Sequence, residues 1–531
     1  MRAITKYFIL TFCFLWQTAY SQYTIPLDHD FTRAIDNYSI SKGDAIFTSI
    51  KPFNYSIFKD SIAVDSILKF NVKAPKDKKG WLLHKWRYEN FFLVDTGNFK
   101  IALDPIFNLQ FANDRKSGKN FIVNTRGIRL FGSIDNKLFF ESSFYENQAT
   151  FPSYLNDYIL SSRIVPGQAS TGYGIMNTDG YFKGALRTFK SGSIDYGYAT
   201  GSILLRLNKH WDLSLGNGKF FVGDGYRSLL LSDNAFNMPF IKITTTYGKF
   251  QYTRIMAILL SDTLPETQNT ALEKRLAGFN MLSFAPTSSF SILLFEGTIW
   301  QYPNSLQKTH FDYNYYNPII FINSAFNNTR CNSIIGINVK LNIFKTAQIY
   351  GQAAFDKLNT TKVACQTGLK YINAFGFNRL YIQGEYNFSP SGFYSTGLHS
   401  LNYSQLNQPL AHPIGNNFKE LVLIANYNYK CWQFNAQLNK TMYGNKGIQL
   451  PVKKSKYLTD FAYSTPFIGN GVFTNLTYVN VSTSYLINAT SNRKIEAGFI
   501  RRNTLIDGNS RQMNFFYIAF KTSLSNFYYD F

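Results

Sequence analysis

In the stretch Ile334–Ile343, the residues Ile335, Ile337, Val339, Leu341 and Ile343 fall on one parity, and Asn338, Lys340 and Asn342 on the other. A period of two sends successive side chains to opposite faces of a strand, so this pattern fits a sheet with one apolar and one polar face. The same pattern recurs in LYIQGEYNF, where Leu380, Ile382, Tyr386 and Phe388 oppose Gln383, Glu385 and Asn387. It recurs again in WQFNAQLNKTM, with Trp432, Phe434, Ala436 and Leu438 against Gln433, Asn435, Gln437 and Asn439. The polar parity is made of amides and charges, as a wet lumen would have.

A soluble sandwich also alternates, with its apolar face buried. Connection lengths separate the two cases, because transmembrane barrels alternate short turns with longer loops. Short turns are expected at Asp95–Asn98, Ile134–Asn136, Asn208–His210, Tyr247–Lys249, Pro286–Ser289, Phe344–Thr346, Asn373–Phe377, Lys430–Cys431 and Asn488–Arg493. Long connections fall between them, notably Gln301–Asn332, Ser389–Lys419 and Gly444–Gly471. The predicted fold is all-β: a transmembrane antiparallel outer-membrane barrel of about 18 strands, with internal plug or constriction elements. The terminal FYYDF puts Phe527, Tyr529 and Phe531 on one face, similar to the aromatic-terminated signal that barrel-assembly machinery reads on a last strand.

The N-terminus fits this export route. Arg2 and Lys6 precede an apolar run from Phe8 to Trp16, too short to span a bilayer, and Ala19-Tyr20-Ser21 fits a small-x-small cleavage site. Residues 1–21 are thus expected to be a cleaved signal peptide directing the chain to the outer membrane, and residues 87–531 the barrel. Residues 22–86 are more charged and include PKDKKG at Pro75–Gly80. They read as a periplasmic extension, a plug, or one further strand near Leu68–Val72. No later run reaches the ~18 apolar residues of a membrane helix. Aromatics make up 17% of the chain, 50 Phe and 36 Tyr among them, more than a soluble core needs.

Export removes Cys13 of the four cysteines and leaves three widely spaced, which argues against a disulfide framework or zinc site. The six histidines show no metal-ligand spacing, and H-E-x-x-H, G-x-S-x-G and Walker A sequences are missing, so no metal, cofactor or enzymatic activity is expected. Two alternatives stay open: a passive porin, and a barrel enzyme with a Ser or Asp near His310 or His399. Lys plus Arg number 54 against 32 acids. For an exported barrel, this excess suits anionic glycolipid or acidic polysaccharide, or reflects a lysine-rich genome, rather than nucleic acid.

One segment does not alternate: GKFFVGDGYRSLLLSDNAFNMPF, Gly218–Phe240. Gly223 and Gly225 permit turns with positive φ, Pro239 fixes the exit, and Ser232-Asp233-Asn234 favours local bends. Leu229, Leu230 and Leu231 suit a knot folded inward, with Arg227 held by Asp224 or Asp233. Such a knot is either a lumen constriction with its charges paired, or a ligand shelf. In the shelf reading Tyr226 faces a sugar ring while Asp224, Arg227, Ser228, Asp233 and Asn234 bond hydroxyl or acidic groups.

The run Phe221–Ala235, followed by Pro239 and the strand Ile241–Thr245, resembles the signature of RemB-type gliding-motility proteins of flavobacteria. More distantly it is similar to the Wzi capsule-assembly family, a pattern that Arg126-Gly127, Ile134–Lys137 and Val165-Pro166-Gly167 also fit. It departs from that pattern at Phe221-Val222, and at Asp233 where asparagine is common. The resemblance implies an outer-membrane barrel that binds surface or capsular polysaccharide in capsule attachment or in gliding and adhesion. It also implies outer-membrane lipid, and gliding or capsule-export machinery, as further partners.

Overall fold

The computed structural model describes residues 24–531 apart from 44–46, 56–57, 59–66, 70–79, 163, 171–186, 189–192, 262–272, 304–309, 326–330, 357–361, 397–400, 407, 445–471 and 507. The proposed signal peptide lies outside them. Eighteen long strands form one closed antiparallel barrel. They are β1 (Phe99–Asp114), β2 (Asn120–Ile134), β3 (Leu138–Ala149), β4 (Ile194–Arg206), β5 (Trp211–Gly218) and β6 (Met238–Tyr247). Then come β7 (Phe250–Ser261), β8 (Glu273–Phe284), β9 (Phe290–Gln301), β10 (Cys331–Ile343), β11 (Ala347–Asp356) and β12 (Val363–Ile372). The last are β13 (Leu380–Ser389), β14 (Phe418–Tyr429), β15 (Trp432–Gly444), β16 (Phe473–Asn488), β17 (Arg493–Ile506) and β18 (Asn509–Thr522).

Each strand pairs with the next, and β18 closes on β1 with Phe515 opposite Asp114 and Lys521 opposite Asn108. The short turns gather at one rim and the long connections at the other, as the sequence cadence predicts. The alternation also holds: Gln433 and Asn439 face the lumen and are buried, while Trp432 and Phe434 face outward and are exposed. Outward aromatics ring the short-turn rim, among them Trp211, Tyr247, Phe344, Tyr429 and Trp432, a girdle typical of membrane barrels.

The lumen is not simply wet. Helix α1 (His29–Lys42) lies inside it, N-capped by the Asp28 carboxylate and closed at Gly43, whose left-handed backbone lets its N–H reach the Ser39 carbonyl. Its Phe31, Ile35 and Tyr38 pack with Ile106 of β1 and Tyr145 of β3. Ion pairs Asp36–Lys370 at 2.8 Å and Asp30–Lys494 at 2.5 Å pin it to two separate wall segments, β12 and β17. Near Leu68–Val72, Ile67 and Leu68 are helical, and residues 70–72 lie outside the described set.

The FYYDF terminus is not the wall strand the sequence suggests. After β18 ends at Thr522, Ser523 donates to the Asp28 carboxylate at 2.7 Å and the Asn526 N–H to the Leu27 carbonyl at 3.0 Å. These bonds turn the chain into the lumen, where it climbs until Tyr154 of helix α3 (Ser153–Ser162) donates to the Tyr529 carbonyl at 2.8 Å. Helix α2 (Trp81–Tyr88) lies between these in sequence and sits outside, at the short-turn rim.

Candidate functional site

The knot between β5 and β6 folds into the lumen, as Leu229–Leu231 suggest. All three leucines are fully buried, with Phe279, Phe295 and Ile334 of the wall and Phe393, Tyr394 and Tyr403 of the β13–β14 connection. A buried loop must find partners for its backbone polar groups, and here the inward amides and acids of the wall supply them. Glu385 accepts from the N–H groups of Tyr226 and Arg227 at 2.7 and 3.0 Å. Gln352 accepts from the Leu229 N–H at 2.8 Å and donates to the Val222 carbonyl at 3.0 Å, and Gln366 donates to the Arg227 carbonyl at 2.9 Å. Tyr394 and Tyr403 donate to the carbonyls of Leu229 and Leu230 at 2.6 and 2.8 Å. Many of the polar positions that read as a wet lumen therefore solvate a dry loop.

Arg227 is not held by Asp224 or Asp233. Its guanidinium grips Glu420 of β14 with two bonds, 3.2 and 3.1 Å, and reaches Asp530 of the C-terminal tail at 3.0 Å. His412 adds a 2.7 Å bond to Glu420, and the rings of Tyr226 and Tyr528 lie 4.9 and 5.3 Å from the guanidinium carbon. Burial lowers the His412 imidazole despite its carboxylate neighbour.

Asp233 instead accepts from Asn526 at 2.9 Å and Tyr528 at 2.8 Å, which ties the knot to the same tail. Burial raises its carboxyl, opposed by the neighbouring Lys219. Ser228 caps the turn, donating to the Val222 carbonyl at 2.5 Å and accepting from the N–H groups of Leu230 and Leu231 at 3.1 and 3.3 Å. Asn234 donates to the Pro409 carbonyl at 3.2 Å.

The two glycines act differently from one another. Gly223 has the expected positive φ of 139°, whereas Gly225 does not adopt the left-handed region. Gly225 is required because a Cβ there would stand 2.4 Å from the Glu385 carboxylate and 2.7 Å from the Arg227 carbonyl. Pro239 is the second residue of β6, opposite Asn217.

Asp224 belongs to a second cluster, formed with a lumenal segment the sequence reading did not connect to it. It accepts from Ser49 at 2.7 Å and Asn338 at 2.8 Å, and Lys340 lies at 3.6 Å. Ile50–Lys51 pairs with Phe221–Val222 as a small ribbon, and Lys51 donates to the Gly223 carbonyl at 2.5 Å. Burial would raise the Asp224 carboxyl, yet Lys340, Lys51 and Lys370 together bring it well below the usual carboxylate range.

A folded-state pKa below the unfolded value of about 3.9 gives a contribution fully present above that pH, and lost as pH falls toward the folded value. Asp224→Asn should therefore lower stability by about 2–3 kcal/mol at pH 7, by removing one charge from a buried charge-assisted network. Urea unfolding monitored by tyrosine fluorescence should show that loss shrinking as the pH is lowered below about 4.

The six polar knot residues are at most 8% exposed, so they do not form an open shelf. Of them Tyr226 lines a cavity of about 350 Å³ between the tail and the half of the wall formed by β14–β18 and β1–β4. Its walls carry Tyr145, Tyr198 and Tyr478 together with Asn435, Gln437 and Asn480. Tyr145 and Tyr198 stack with centroids 4.4 Å apart and planes 10° from parallel. The carbonyl oxygens of Asn435 and Asn480 are buried without a protein partner. Alternation shows these residues as inward-facing, but nothing local distinguishes them from the amides that serve the knot. Of the two histidines weighed for catalysis, His310 is exposed beyond the end of β9, and His399 lies outside the described residues.

This architecture is that of an outer-membrane β-barrel. The chain aligns over 95% of its length, and all of the other chain, with Wzi, a carbohydrate-binding outer-membrane barrel involved in group 1 capsule assembly in Escherichia coli, at a TM-score of 0.55 and 12% identity. It aligns less well with OccK7 (OpdD) of Pseudomonas aeruginosa, at a TM-score of 0.43 and 8% identity over 80% of this chain and 98% of that one. OprD from the same organism gives a TM-score of 0.40 and 10% identity, covering 82% and 96%. No family model and no curated protein matches the sequence.

Proposed function

We propose that this protein is a non-enzymatic outer-membrane barrel that binds surface polysaccharide, with its short-turn rim toward the periplasm. The observation that carries the reading is the state of the lumen. The knot, α1 and the tail occupy much of it, and the space left is a cavity lined by tyrosines and amides together with charged groups, Asp30, Arg33, Lys494 and Glu496 among them. Ring faces flanked by hydrogen-bonding amides and charged side chains suit hydroxyl-rich sugars, and a filled lumen disfavours free ion passage. The similarity of fold to Wzi, itself described as carbohydrate-binding, supports the same reading. The resemblance of Phe221–Ala235 to gliding-motility proteins makes capsule attachment and gliding adhesion the two settings for such binding. Capsule-export or gliding machinery is the corresponding partner.

The test is binding of the purified barrel to the surface polysaccharide of its own cells, alongside conductance in planar bilayers. Saturable binding with little steady conductance is expected. Tyr198→Ala, which removes half of the stacked pair, should weaken binding about tenfold, the equivalent of ~1.4 kcal/mol. Tyr386→Ala, on the outward face of β13, should leave it unchanged. Steady conductance without saturable binding would instead identify a porin.

A further inference from the structure

Helix α2 presents three consecutive large apolar side chains to the outside: Trp81 is 70% exposed, Leu82 66% and Leu83 61%. The helix is firmly seated. Asn488 in the β16–β17 turn donates to the carbonyls of Trp86 and Glu89 at 2.9 and 3.0 Å, and the Arg493 guanidinium lies 4.1 Å over the Trp86 ring. His84 is buried on the same inner side. Trp86 and His84 thus hold the helix to the rim, while Trp81, Leu82 and Leu83 point away from it.

The chain after α2 completes the barrel where its last strand does not. β18 pairs with β1 only over Asn108–Asp114, because the tail leaves the wall at Ser523. Lower on β1, Lys100–Leu103 are paired instead by Phe92–Asp95. Asp104 between these stretches accepts from the Asn90 amide at 2.6 Å and the Phe91 N–H at 2.8 Å. Phe91, Phe92 and Leu93 are also exposed. An unpaired strand edge is not tolerated in hydrocarbon, so this substitute strand covers the seam at the depth where the girdle of rim aromatics lies.

We propose that Trp81–Asp95 is a lipid-seated seal over the barrel seam, with Trp81, Leu82 and Leu83 lodged at the headgroup–acyl boundary of the leaflet at the short-turn rim. Lipid is the occupant because the apolar patch continues the outward girdle of Trp211, Tyr247, Tyr429 and Trp432. The helix also carries Lys85 and Arg87 and no carboxylate, which suits phospholipid headgroups. This inference rests on the barrel spanning a membrane and is independent of glycan binding.

The test uses the full barrel with Cys365→Ser and Cys431→Ser, and Leu82→Cys labelled with the environment-sensitive NBD fluorophore. It is reconstituted in phosphatidylethanolamine–phosphatidylglycerol vesicles. Val481→Cys, on the outward face of β16, serves as the lipid-facing standard. Lipids spin-labelled near the top of the acyl chain should quench the Leu82 probe at least threefold more than aqueous iodide does. Quenching by iodide without quenching by lipid would place the helix in water and overturn the proposal. Protection from both quenchers would mean that protein covers the patch, and would overturn it equally.

Discussion

Arg227→Met should abolish the compact, heat-modifiable form of the barrel on mildly denaturing gels. The guanidinium is 1% exposed and is the shared partner of Glu420 and Asp530. Methionine fills similar volume but leaves two buried carboxylates facing one another beside Tyr226 and Tyr528. Breaking a buried pair from one side costs about 3–5 kcal/mol, whereas neutralising all members together is often harmless. The triple variant Arg227→Met, Glu420→Gln, Asp530→Asn should therefore recover most of the folded band. Asn387, His412, Gln437 and Asn439 also approach these two acids and could still bond the amides. Failure of the triple variant would show that the guanidinium is needed for its shape rather than its charge.

Gly225→Ala should be nearly as damaging for a purely steric reason. The added methyl would stand 2.7 Å from the Arg227 carbonyl, a backbone atom that cannot swing away, and 2.4 Å from a Glu385 oxygen. That carboxylate is already fixed by Tyr226, Arg227, Tyr350 and Asn387. Overpacking of this sort costs about 1–3 kcal/mol. Here the displaced group is also the acceptor for two knot N–H groups, so the upper end is expected. The readout is the urea midpoint of refolding into detergent micelles, set against Gly384→Ala in β13, where the backbone is not left-handed and a Cβ would meet only the Leu423 side chain, at an ordinary 3.5 Å.

Much of the barrel was legible in the sequence because strand parity and turn length are local properties. Gln433, Asn435, Gln437 and Asn439 report one face within seven residues, and Lys430-Cys431 reports a tight turn on its own. The inward fold of the knot was legible too, since three successive leucines have no place in a solvated loop. What the knot touches was not. Glu420 stands 193 residues from Arg227, and nothing near either one marks the other. Asp224 and Asp233 were the nearer candidates, but each is engaged elsewhere, with Lys340 and Ser49 or with Asn526 and Tyr528.

The tail misled for a different reason. Phe527, Tyr529 and Phe531 share a face whether that face meets lipid or lumen, and the rings of Phe527 and Tyr529 do lie parallel at 6.3 Å. Only the bonds at Ser523 and Asn526 decide the direction. Residue 86, where the expected barrel region begins to adjoin the N-terminal segment, lies within α2, whose apolar WLL directly follows the charged PKDKKG stretch.

The junction of Arg227, Glu420 and Asp530 joins a loop from the first half of the chain, a wall strand from the second, and the segment that follows β18. Until Asp530 and Tyr528 arrive, Asp233 and Arg227 each lack partners that the finished interior gives them. The interior is therefore a checkpoint on the segment that follows β18. A chain cut after β18 would possess every wall strand, yet it would carry an unmatched ionic centre and remain distinguishable, by its own stability, from one that keeps Asp530 and Tyr528.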